Sequence, residues 1–183
     1  MSDLNWEKLS SKYLIKEKWA TLRVDTCKMP DGTLIDDYYV LEYPGWVNAI
    51  AITEDNQVIL IKQYRHAAEK VILEIPGGCI DSGETPDIAI ARELLEETGY
   101  EFDSYEPLCT LYANPSTSGN LTTSYIAKGG KKIQEQHLDG REEIEVQLVS
   151  VEDLKTLVLE NKFPQALHAS AIFHALIHLE KIS

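Results

Sequence analysis

The sequence predicts an α+β fold, an α/β/α sandwich with a mixed central sheet and an antiparallel strand element in front of it. Three observations carry this. Short apolar segments rich in Val, Ile, Leu and Tyr run through most of the chain, one helix-patterned stretch interrupts them at residues 85–98, and two further helical stretches close the sequence. No G-x-G-x-x-G follows a strand, so the regular β-α-β alternation of a dinucleotide-binding fold is excluded. With 183 residues, 44% of them hydrophobic, the chain can bury a real core.

Taken in order, residues 12–29 and 34–43 read as strands. Pro30-Asp31-Gly32 between them is a turn signal, which predicts a hairpin or three-stranded sheet over residues 1–43. The remainder, 44–183, reads as the main domain. Residues 47–52 and 58–64 form a second hairpin of buried strands around Glu54-Asp55-Asn56, and residues 71–75 a short strand stopped by Pro76-Gly77-Gly78. In the helix, Thr85 is a suitable N-cap, Pro86 takes the first helical position, Asp87 lies in the first turn and Gly99 marks the stop. Strands follow at 108–112, 121–127 and 144–149, then helices at 152–161 and 165–181, the second preceded by Phe163-Pro164.

Composition narrows the function classes. A net charge of -13 opposes a broad grip on a phosphate backbone, so nucleic acid is not an expected partner. No apolar run of membrane-spanning length and no signal-peptide pattern occurs, and the expected location is the cytoplasm. Cys27, Cys79 and Cys109 form no C-x-x-C pair and read as reduced thiols.

The chemistry concentrates on the central helix. At about 100° per residue, Glu93, Glu96 and Glu97 share one face. Ile88, Ala91 and Leu95 fall opposite and are expected to pack onto the sheet. Glu-rich helix faces are most often only solvated surface, and like charges at these spacings destabilise a helix by a few tenths of a kcal/mol each. The wider spacing decides against that reading. Gly78, five residues, Glu84, seven residues, Arg92-Glu93-Leu94, one residue, Glu96-Glu97, one residue, Gly99-Tyr100 is the pattern G-x5-E-x7-R-E-U-x-E-E-x-G-U, where U is bulky and apolar. Its seven fixed identities would arise by chance less than about once in a million such chains. Tyr100 stands at a usually aliphatic position.

This pattern resembles the Nudix box, and the chain is similar to the Nudix hydrolases, which cleave a nucleoside diphosphate linked to another moiety. The resemblance implies that Glu93, Glu96 and Glu97 ligate Mg²⁺, with Mn²⁺ able to substitute, that the Gly77 carbonyl completes the site, and that Arg92 and Glu84 orient the carboxylates. Within the family, Gln63-Tyr64-Arg65, the run from Glu74 to Gly78, and Pro115, sixteen residues after Gly99, resemble the ADP-ribose pyrophosphatase branch. Arg65, Glu74 and Pro115 are therefore expected at the substrate, as is Trp46, the best placed of Trp6, Trp19 and Trp46 to stack on a base. Ser116 and Asn120 depart from the glycine and acidic residue common in that branch, which leaves nucleotide sugars and other ADP-linked compounds open beside ADP-ribose.

The resemblance further implies a homodimer paired through the N-terminal strands and a general base on a loop before a late strand. Among residues 139–145, Glu142 ranks first for that base and Glu143 second. His174 and His178, four apart on the last helix, lack a third ligand and read as structural. Two other functions compete with the hydrolase. A nucleotide-sensing regulator usually carries an added DNA-binding domain and a degraded box, and an isoprenoid diphosphate isomerase needs a reactive cysteine, for which Cys79 is the nearest residue. The intact box favours the hydrolase.

Overall fold

The computed structural model describes residues 3–182, which divide into two compact units, residues 3–44 with 112–120, and residues 45–111 with 121–182. In the first, strands β1 (Glu7–Glu17), β2 (Ala20–Lys28) and β3 (Leu34–Glu42) form an antiparallel sheet in the order β1-β2-β3. The segment read as one strand over residues 12–29 is divided by a turn between β1 and β2, so the three-stranded alternative is the one observed. The turn before β3 is closed by Gly32, whose φ of 88° suits glycine, through an N–H bond to the Met29 carbonyl. Asp25 is the buried polar centre of this sheet, accepting from Ser11 Oγ at 2.6 Å and Arg23 Nε at 3.0 Å. Residues 112–120 join the same unit: Leu41 N–H bonds the Thr117 carbonyl and Tyr38 Oη the Ser116 carbonyl.

The second unit is built on β4 (Trp46–Thr53), β5 (Val58–Arg65), β6 (Lys70–Glu74), β7 (Gly77–Cys79), β8 (Tyr100–Glu101), β9 (Ser104–Tyr112), β10 (Leu121–Lys132) and β11 (Ile144–Val149). Its sheet runs β11-β5-β4-β10-β8, with β6 on β5, β7 on β4 and β9 on β10. It is mixed: β4 and β10 are parallel, β5 is antiparallel to both β4 and β11. Strands β4 and β5 pair only at Ala51–Ile59 and Ile52–Val58; further along, β4 pairs with β7 and β5 with β6. The sheet forks there, and the Pro76-Gly77-Gly78 segment turns into the fork, with the Pro76 carbonyl accepting from Ala49 N–H.

Helix α1 (Pro86–Thr98) covers one face of this sheet, and α2 (Val151–Leu159) with α3 (Ala166–Ile182) covers the other. Alternation along β4 feeds both cores: Val47, Ala49 and Ala51 meet Ala89, Ile90 and Leu94 of α1, while Ile50 and Ile52 meet Leu154, Phe163, Ala171 and Ile172. The expected α/β/α sandwich with a mixed sheet is the observed fold. Thr85 stands at the N-cap with extended backbone but makes no side-chain cap bond, whereas Gly99 (φ 78°) stops α1 as expected. Ser150 and Asp153 form a reciprocal capping box on α2, and Gln165 Oε1 accepts from the N–H groups of Leu167 and His168 to start α3.

The packing face of α1 differs from the expectation. Ala89, Ile90 and Leu94 are buried, whereas Ile88 is 56% exposed and Ala91 and Leu95 only partly covered. Helix periodicity allowed either apolar set. The rotation is set by the box: it brings Glu97 down to the Gly77 N–H and Glu93 over Gly78, so the acidic edge leans against the sheet instead of facing away.

His168, on the buried face of α3, carries a testable consequence. Burial foremost, with the Arg65 charge adding to it, pushes this imidazole down to about 3, and its Nδ1 has no hydrogen-bond partner among the described residues. A histidine depressed in the folded state stabilises fully above its unfolded pKa of about 6.5 and loses that contribution as pH falls toward the folded value. Urea unfolding at pH 7.5 and pH 5 should show the parent losing roughly 2 kcal/mol more than His168→Met over that interval. Equal losses in the two proteins would mean that His168 takes up its proton without unfolding.

Candidate active site

Arg92 organises the site. All five of its N–H groups have acceptors: Nε and Nη2 bond Glu84 at 2.8 and 2.9 Å, Nη2 also the Cys79 carbonyl at 2.9 Å, and Nη1 bonds Glu93 at 2.9 Å and Glu96 at 3.1 Å. Glu84, which also accepts from Asp81 N–H, is held down at about 2 by this guanidinium. The loop that enters α1, the strand β7 and two turns of the helix are thus tied to one cation.

Glu97 is only 4% exposed and accepts a 2.8 Å bond from Gly77 N–H. Burial drives its carboxyl well above the usual range against that N–H bond, and the charges of Glu93 and Glu142 push the same way. Glu93 is raised for the same leading reason, burial, opposed by Arg92 and assisted by Glu96 and Glu142. Backbone conformation makes this approach feasible. A Cβ at Gly78 would collide with the Glu93 carboxylate, and one at Gly77 (φ 152°) with the Val47 carbonyl and the Asn48 backbone.

Four acidic groups whose charges act on one another, two of them desolvated, disfavour their own ionisation unless a cation joins them. Their oxygen donors suit a hard divalent ion. Yet among the described residues no three His, Cys, Asp or Glu side chains converge closely enough to hold a metal unaided. Arg92 Nη1 bonds both Glu93 and Glu96. A divalent ion held here would take its remaining ligands from water or substrate oxygens.

The other sequence-derived residues fall in three places. Arg65, at the end of β5, directs Nε (3.0 Å) and Nη2 (2.7 Å) to one oxygen of Glu74, which is 1% exposed. Glu74 therefore lies beneath Arg65, where it orients the guanidinium. Trp46 opens β4, in register with Cys79; burial raises the Cys79 thiol, and a hydrogen bond between the two side chains opposes this only in part. Glu142 is half-buried and Glu143 exposed, on a loop that shares a cleft with Gln63 and Tyr64. Pro115 belongs to the other unit, with residues 112–120, and is exposed there. His178 lies 3.3 Å from Glu106. Sequence reasoning passed over Gln136, whose amide bonds the Glu97 carbonyl; an isolated glutamine in a polar loop carries no pattern.

A central acidic helix end against a Gly-Gly strand, clamped by one arginine, defines a site of the Nudix class. The chain belongs to the NUDIX family: the NUDIX domain profile matches residues 43–170, and that of the nucleoside diphosphate sugar hydrolase N-terminal domain matches residues 6–41. It is similar to the ADP-ribose pyrophosphatase of Bacillus subtilis (strain 168), 30% identical over 94% of this chain and 93% of that protein. It is also similar to the methanol dehydrogenase activator of Bacillus methanolicus, 31% identical over 84% of this chain and 83% of that one. A crystal structure of an ADP compounds hydrolase superposes with a TM-score of 0.88 at 21% identity, covering 100% of this chain and 99% of the other, and shows the same fold.

Proposed function

We propose that the protein hydrolyses the pyrophosphate bond of ADP-ribose or a nucleotide sugar, giving a nucleoside monophosphate and a sugar phosphate, with Mg²⁺ preferred and Mn²⁺ a substitute. The observation that carries this reading is the clamp of Arg92 on Glu84, Glu93 and Glu96, with Glu97 buried beside Gly77 and within electrostatic reach of Glu142. The similarity to an ADP-ribose pyrophosphatase over 94% of the chain supports the substrate class.

In this reading Glu93, Glu96, Glu97 and the Gly77 carbonyl hold the divalent ions. When bound, these ions neutralise the diphosphate oxygens and make a coordinated water more acidic. Arg92, itself held by Glu84, orients these carboxylates through its hydrogen bonds. Arg65, steadied by Glu74, offers its remaining N–H groups to the substrate, and Trp46 borders the nucleoside. Glu142, with Glu143 as the alternative, removes a proton from the attacking water. A new P–O bond forms, the bridging P–O bond breaks, and the negative charge passes to the departing phosphate.

We further propose that the protein acts as a homodimer. β1 is an edge strand exposed along its whole length, and Leu9, Tyr13, Leu14 and Ile15 on it are each between 45 and 47% exposed. An apolar edge of this kind invites pairing with a second copy. Light scattering should give a dimer for the full chain and a monomer for Leu14→Glu/Ile15→Glu, with kcat/KM reduced at least about tenfold in that variant. A monomeric parent contradicts the proposal.

A further inference from the structure

The last carbonyls of a helix have no partners inside it. At the C-terminal end of α1 they are taken by residues 133–137: Gly99 O accepts from Ile133 N–H at 2.9 Å, Glu96 O from His137 N–H at 2.8 Å, and Glu97 O from Gln136 Nε2 at 2.6 Å. Gly99 is required for this approach, because a Cβ there would strike the Gln134 carbonyl. The Gln136 amide also donates to Ile144 O at 3.2 Å. Ile144 is buried and opens β11.

One primary amide therefore joins three pieces of chain. It holds the main chain of Glu97, the stem that enters the loop at residues 137–143, and the stem that leaves it. Glu142 and Glu143 sit on that loop. Its inner bonds are local, from Glu142 N–H to Asp139 O at 3.2 Å and from Arg141 N–H to Asp139 Oδ1 at 2.7 Å, so they shape the loop without fixing it to the helix. A glutamine serving only to cap α1 would need one acceptor. Two acceptors on separate segments instead set a distance.

We propose that Gln136 is a positioning residue that fixes the loop bearing Glu142 and Glu143 relative to the carboxylates of α1, a role that rests on the loop supplying the general base. Displacement of a reacting group by about 1 Å can cost two orders of magnitude in rate, so a single amide at the loop stem is enough to matter.

The test is a mutant cycle with ADP-ribose and Mg²⁺, comparing Gln136→Met in the parent and in Glu142→Gln/Glu143→Gln. Methionine keeps the length and removes both donors. In the parent, kcat should fall about 10- to 100-fold with KM within about threefold, and Mn²⁺ affinity of the metal-free protein, read by electron paramagnetic resonance, should stay within about threefold. In the base-less background the same substitution should change kcat by less than about twofold, since no base remains to be placed. Equal losses in both backgrounds, or a parent kcat within about twofold, overturn the proposal. Near-parent turnover by Glu142→Gln/Glu143→Gln alone removes the base assignment itself, and the positioning role with it. If Gln136→Met fails to fold by circular dichroism, Gln136→Leu takes its place in the same cycle, and equal losses in both backgrounds again overturn the proposal.

Discussion

Glu97→Gln should lower kcat on ADP-ribose by at least about 10³-fold while the protein stays folded. The sequence alone places this carboxylate on an open helix face, but it is 4% exposed and bonded to Gly77 N–H, so its replacement must be judged as a buried substitution. Glutamine can still accept the Gly77 N–H through its Oε1, and it removes both the cost of burying a charge and the repulsion from Glu93 and Glu142. In EDTA, thermal unfolding of the variant should therefore match or exceed the parent. Near-parent turnover would remove Glu97 from the reaction, and a large loss of stability in EDTA would make it a structural residue.

The loop carboxylates give the second large effect. Replacing the true base by glutamine should lower kcat roughly 10²-fold or more with KM little changed, because the proton is transferred only in the transition state. Glu142 is the stronger candidate. It is half-buried, and its charge reaches both Glu93 and Glu97, whereas Glu143 is exposed. Steady-state kinetics of Glu142→Gln and Glu143→Gln should assign the larger loss to Glu142. If both variants stay within a few-fold of the parent, the proton is taken by a carboxylate of α1.

Much of the fold was legible because its signals are local. Pro86 and Gly99 delimit α1 through backbone rules that need no tertiary partner, and the alternation in β4 records two cores directly. The box spacing likewise named the residues that Arg92 gathers. What the sequence could not express was relative position. Ile88, Ala91 and Leu95 make as good an apolar stripe as Ala89, Ile90 and Leu94, and only the Gly77–Glu97 bond and the fit of Glu93 over Gly78 select the second. The short strands β7 and β8 are set by the fork and by β10, long-range pairings with no periodic signature. Gln136 was silent for the same reason: its two acceptors lie 39 and 8 residues away.

The most direct test of the central claim is a turnover panel with product identification. The full-length protein would be given ADP-ribose, several nucleotide sugars, dinucleoside polyphosphates, NADH and an oxidised nucleoside triphosphate, each with Mg²⁺ and with EDTA. The account predicts hydrolysis of ADP-ribose or a nucleotide sugar in the presence of Mg²⁺ alone, releasing a nucleoside monophosphate and a sugar phosphate in equal amounts. Hydrolysis unaffected by EDTA, or no cleavage of any diphosphate-linked compound with Mg²⁺ or Mn²⁺, would contradict it.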